Sequence, residues 1–140
     1  MIQAASEAKA AQEAERKAAK EQREEDDRQK RRDRQSLLDD HALPTLREFV
    51  RDLAAAGIPA RVEANGEFQP ISFVHIGRMD PPGARSAHIR VVPGDGELSV
   101  SSYGGGQERN WRAIPDNARD VLAEACEDAL NRWHGIKGYR

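Results

Sequence analysis

The chain has 140 residues, 22 Lys/Arg against 24 Asp/Glu, a net charge of −2 and a single cysteine. That length holds one folded domain plus an extension, and the near-neutral balance argues against a chain drawn as a whole to nucleic acid or an anionic membrane. One thiol excludes an internal disulfide or a CxxC zinc or redox centre, and no window approaches membrane-spanning length. The first residues lack the apolar run of a signal peptide, so the expected location is the cytoplasm, with no membrane partner.

Residues 4–35 contain no Gly or Pro and are dominated by Ala, Glu, Gln, Lys and Arg, the residues with the best intrinsic helix propensity. A long charged helical arm is expected over residues 1–35, which hold ten of the Lys/Arg and nine of the Asp/Glu. Glu13 with Lys17, Glu24 with Arg28, Asp26 with Lys30 and Asp27 with Arg31 stand four apart with the acid first, the spacing of helix-supporting ion pairs. The apolar seam of this arm is thin: Ala4, Ala8, Ala11 and Ala18, interrupted by Glu15. A homodimer through it is one expectation, and a solvated or partner-dependent helix the favoured one.

Residues 36–140 read as a single α+β domain. Leu38, Ala42, Leu46, Phe49, Val50 and Leu53 recur at helical spacing and share one face. Pro44 interrupts this pattern, so either a new helix starts there or one long helix kinks near Leu43, and Gly57 ends it. An antiparallel sheet of four to five strands follows. Its first strand runs from Ile58 to a turn at Asn65-Gly66, its second from Glu67 to Ile76, with Pro81-Pro82-Gly83 beyond. Ala87 opens the third, Gly94-Asp95-Gly96 turns, and Leu98 to Tyr103 forms the fourth. Residues 104–106 are three glycines, read as a flexible connection outside any strand, before a short fifth strand holding Trp111.

Alternation places Ile58, Ala60, Val62, Ala64, Ala87, Ile89, Val91, Leu98 and Val100 towards the helices. Arg61, Glu63, His88, Arg90, Ser99, Ser101 and Tyr103 then form an opposite, polar face. The last helix starts at Pro115-Asp116-Asn117 and ends at His134-Gly135, with Ala118, Leu122, Ala125, Ala129 and Trp133 on its buried stripe.

Catalytic or metal-binding constellations are not evident. His41, His75, His88 and His134 fall in four different elements without HxH or HxxxH spacing. Cys126 sits in an apolar stripe, where a thiol has little reactivity. The three glycines lack the Lys-Ser/Thr of a phosphate loop. The order helix, sheet, helix superficially resembles a double-stranded-RNA-binding domain, yet the last helix opens Pro115-Asp116-Asn117-Ala118-Arg119-Asp120 where that family carries a lysine-rich turn. No family is assigned on that likeness.

The expected function is therefore a non-enzymatic protein-binding module, an inhibitor or adaptor of the kind a phage or mobile element encodes, with no cofactor or metal. It would act through the sheet face, the loop at residues 78–85 and the arm. The candidate partner-binding residues are Arg78, Met79, Arg85, His88, Arg90, Tyr103, Arg109, Trp111 and Arg112, arginines and aromatics of the kind enriched at interface hot spots. For Trp111 a place in the core is an equal expectation. The alternative is nucleic-acid binding by Lys30, Arg31, Arg32 and Arg34 with exposed aromatics, disfavoured because Glu24, Glu25, Asp26 and Asp27 lie just upstream.

Overall fold

The computed structural model of the chain describes residues 2–64, 72–77 and 86–138. Helix α1 spans Ile2–Leu37, a π-helical turn follows at Leu38–Ala42, and α2 spans Leu43–Ala55. Five strands come next, β1 (Ala60–Ala64), β2 (Ser72–Ile76), β3 (Ala87–Pro93), β4 (Leu98–Gly104) and β5 (Gln107–Ala113), and α3 (Ala118–Gly138) closes the chain. The fold is α+β. All strands form one antiparallel meander in the order β1-β2-β3-β4-β5, so each pairs with its neighbours in sequence. The chain divides into two compact units, Met1–Arg32 and Asp33–Arg140.

In the first unit the described side chains are exposed from Ala4 onward. None of the four expected i,i+4 ion pairs forms. Glu25 instead accepts from Arg28 at 2.9 Å and from Arg32 at 3.0 Å, while Gln22 donates to Asp26 at 3.0 Å. The two guanidiniums hold the Glu25 carboxyl below its usual range by hydrogen bonding. Long flexible arginines reach one turn or two along a helix, so spacing alone did not select the partner.

Of the two expectations at Pro44 the first holds: α2 starts at Leu43 with Pro44 in its first turn. What the pattern did not show is the π turn that joins it to α1, one residue wider than an α turn, with the Leu43 N–H donating to the Leu38 carbonyl and Ala42 at φ −113°. Proline has no N–H to donate and its ring crowds the carbonyl four residues back. A π turn just before Pro44 opens that space. The extra residue also keeps Leu38 and Ala42, both buried, in register with Leu46 and Leu53 of α2.

Helix α2 ends as its sequence predicts. Gly57 adopts φ +77°, the Ile58 N–H donates to the Leu53 carbonyl at 2.9 Å and the Gly57 N–H to Ala54 at 3.0 Å. This is the paired-bond glycine cap, and half-buried Ile58 packs on the core that holds Leu53, the contact that accompanies such caps.

The core lies between one sheet face and the helices. From the sheet come Val74, Ile76, Ala87, Ile89, Val91, Leu98, Val100 and Ala113, and from α3 Ala118, Leu122, Ala125, Cys126, Ala129 and Trp133. Each large aliphatic side chain buried this way contributes about 1.5–3 kcal/mol. β1 contributes less than its alternation suggests: Ala60 and Val62 are half-buried and Ala64 is exposed. It is an edge strand, and only one neighbour shelters it.

Two expectations about glycines are corrected. Gly104 belongs to β4, and only Gly105 and Gly106 form the turn, at φ +61° and +75°. Two residues of positive φ match the twist of a tight hairpin. A side chain at Gly104 would stand 2.8 Å from the Arg132 Cβ and 3.3 Å from the Ala87 Cβ, so its missing Cβ is what lets α3 lie against this end of the sheet. Gly135 does not end α3, which runs on to Gly138. A helical glycine costs about 1 kcal/mol relative to alanine but forbids nothing. At the other end Asn117 organises the start: its side chain accepts from the Ile114 N–H at 2.8 Å and its carbonyl from the Val121 N–H at 3.0 Å.

Candidate functional site

The helices cover one face of the sheet and leave side chains of alternate parity on the other. The register sets these in rows across the strands. One row pairs Arg61 with His75, His75 with His88 and His88 with Tyr103. The next sets Arg90 opposite Ser101 and Ser101 opposite Asn110, and a third sets Ser99 opposite Arg112.

The first row is an aromatic ladder. The His88 and Tyr103 rings stack at 4.5 Å with 16° between their planes, and His75 lies 6.1 Å from His88 at 37°. Cross-strand ring pairs of this sort stiffen a sheet surface. Glu63 closes the row's outer end, 3.5 Å from His75 Nε2 and 3.0 Å from the Arg61 guanidinium. Burial lowers the His88 pKa from its ordinary 6.5, and the nearby His75 and Arg90 add to the shift. At neutral pH His88 is therefore an uncharged ring that stacks.

Beside the ladder is a polar groove of about 440 Å³ over β3, β4 and β5, lined by Arg90, Ser99, Ser101, Glu108, Asn110 and Arg112. Its floor is ordered: Ser101, only 7% exposed, donates its hydroxyl to Asn110 Oδ1 at 2.7 Å. Its cations are not consumed. Arg112 meets Glu97 only at 3.7 Å, and Arg90 has no ion-pair partner among the described residues.

The nine candidate contact residues separate into three groups. His88, Arg90, Tyr103 and Arg112 come together on the open face. Arg109 and Trp111 lie on the helix-covered side, since Trp111 pairs with Val100, which is fully buried. There the Arg109 guanidinium sits 4.9 Å over the Trp111 ring and reaches Glu124 of α3 at 3.2 Å and Asp128 at 3.8 Å. Trp111 packs, half-buried, against the core. Arg78, Met79 and Arg85, with the turns at residues 65–66 and 81–83, lie outside the described residues. Asn110 and Glu108 were not anticipated. Their parity was legible from Ala113, whose burial requires Trp111 and Arg109 to share its side.

Of the basic cluster, Arg32 is held by Glu25 and also donates to Gln29 at 2.8 Å, and Arg34 pairs with Asp95 at 3.1 Å. Lys30 and Arg31 are exposed. His41 is half-buried in the π turn, and His134 packs its ring 5.1 Å from Trp133. Cys126 is buried, and its thiol is pushed up to about 12 by that burial. Among the described residues no three His, Cys, Asp or Glu side chains converge as a metal site requires, and no helix is long and apolar enough to cross a membrane.

Comparison with protein-family models, with curated proteins and with solved structures returned no match.

Proposed function

We propose that this chain is a non-enzymatic protein-binding module, an inhibitor or adaptor working in the cytoplasm, whose open sheet face receives an acidic segment of a partner protein. The observation that carries this reading is the groove beside the His88–Tyr103 stack, where Arg90 makes no ion pair among the described residues, above an ordered Ser101–Asn110 floor. A rigid platform costs little entropy to bind, and planar guanidiniums suit carboxylates. The arm serves as a second contact or, through Ala4, Ala8, Ala11 and Ala18, as a dimer seam. Light scattering on the full chain with Ala8→Glu and Ala11→Glu separates those two roles, because only a dimer seam changes mass.

The main test places a photo-crosslinking amino acid at exposed Ser99 in the groove. A discrete protein adduct that disappears in the Arg90→Glu, Arg112→Glu double variant is the expected result. An adduct indifferent to that double variant, or one recovered only on nucleic acid, overturns the reading. Nucleic-acid binding is the weaker alternative, because Arg32 and Arg34 already hold carboxylates and Trp111 faces α3 rather than a stacking surface. It would show as an affinity falling steeply with salt.

A further inference from the structure

The other side of the helical layer carries a second recess. It lies between α2 and α3, encloses about 350 Å³, and takes its walls from two helical stripes: Thr45, Glu48, Phe49, Asp52 and Leu53 on α2, and residues of α3 from Arg119 to Leu130. Phe49 and Leu130 are half-buried, so apolar surface is left open along the floor. The rim is acidic. Glu48 is partly answered by Arg119 at 3.7 Å, but Asp52 and Glu127, both exposed, have no ion-pair partner among the described residues.

We infer that this groove is a docking site for a basic amphipathic helix of a partner protein. Shape and charge both select that occupant. Thr45 to Leu53 covers about 12 Å of helix axis and Arg119 to Leu130 about 16 Å, at 1.5 Å rise per residue, enough for two to three turns of a third helix. Such a helix would set apolar anchors at i, i+3 or i+4 and i+7 on Phe49, Leu53 and Leu130. Its flanking lysines or arginines would meet Asp52 and Glu127. An acidic helix would set like charges against the same rim, which is how a groove of this kind rejects the wrong partner. The open sheet face is on the far side of the core from this groove. The two surfaces accept opposite charge, so one copy of the chain joins two different partners, as an adaptor does.

The test uses fluorescent Leu/Lys and Leu/Glu amphipathic peptides of about 18 residues with identical apolar spacing, titrated into the full chain and read by anisotropy. Saturable binding of the Leu/Lys peptide, with the Leu/Glu peptide about tenfold weaker or more, is expected. Asp52→Lys with Glu127→Lys reverses that preference, and the milder Asp52→Asn with Glu127→Gln weakens the Leu/Lys peptide without favouring the other. Glu7→Lys with Glu21→Lys, an equal charge change at exposed positions outside both grooves, leaves the preference in place. Equal binding of both peptides, no binding of the Leu/Lys peptide, or a control pair as damaging as the rim pair overturns the inference. Circular dichroism confirms that these exposed substitutions keep the helices.

Discussion

The two faces of the sheet are built from alternate residues of the same strands and have opposite physical characters. On β3, Ala87, Ile89 and Val91 have no measurable exposure, while His88 is half-buried and Arg90 exposed. The covered face is a packed solid, where every methyl group has neighbours and removal leaves a hole. The open face is an arrangement of rings and charges that water can enter, so its residues are nearly independent in stability and free to serve recognition.

The sharpest test of that contrast is truncation on adjacent residues of one strand. Ile89→Ala should lower unfolding free energy by about 2–5 kcal/mol through lost burial and the cavity left behind. Arg90→Ala, one residue away, should stay within about 0.5 kcal/mol. Urea denaturation of both variants measures the difference, and equal losses would mean that the open face is covered in the native protein.

Next in size is Gly104→Ala, which should cost about 1–3 kcal/mol, because a methyl group 2.8 Å from the Arg132 Cβ must displace α3 from the sheet. The same substitution at Gly94, where a methyl group would meet nothing nearer than 3.7 Å, should cost clearly less.

The pH dependence of the open face comes third. Burial holds the His88 pKa below 6.5, so between its folded value and 6.5 the unfolded chain binds more protons than the native one. Stability should therefore decline as pH falls through that window and level off above it, and His88→Gln should flatten this part of the profile. Thermal unfolding followed between pH 7.5 and pH 5, a span of about one unit or more on either side of the ordinary histidine pKa, measures it. A profile unchanged by the substitution would mean that another group dominates.

The smallest effect is expected for Glu97→Gln. It removes a 3.7 Å pair to Arg112, whose side chain is 79% exposed, and should change stability by less than about 1 kcal/mol. Any binding that depends on Arg112 should strengthen in this variant, since the arginine loses its weak pairing with Glu97.

Much of the fold was legible along the chain. The arm follows from propensity, the β3–β4 turn from Gly94 and Gly96, the end of α2 from Gly57, and the buried stripe of α3 from Ala118, Leu122, Ala125, Ala129 and Trp133. Each of these depends on interactions within a few residues. The candidate site was half legible, since alternation identified His88, Arg90 and Tyr103 as companions on one face. Alternation sets Arg109 and Trp111 opposite Arg112, but which of the two sides is covered hangs on Ala113 alone, because β5 is polar almost throughout. The carboxylates Asp52 and Glu127 of the α2–α3 groove, without an ion pair among the described residues, were equally hidden, being 75 positions apart in the chain.

The sequence by itself determined which segments are helix or strand and which side of most strands is apolar, because propensity, periodicity and turn chemistry are local. Tertiary structure alone decided the rest: the widened turn before Pro44, the continuation of α3 through Gly135, the pairing of Arg34 with Asp95, and the stacking of His88 on Tyr103 beside His75. In each case several local conformations or partners have nearly the same energy. Strand register and helix packing, which depend on the whole domain at once, choose among them.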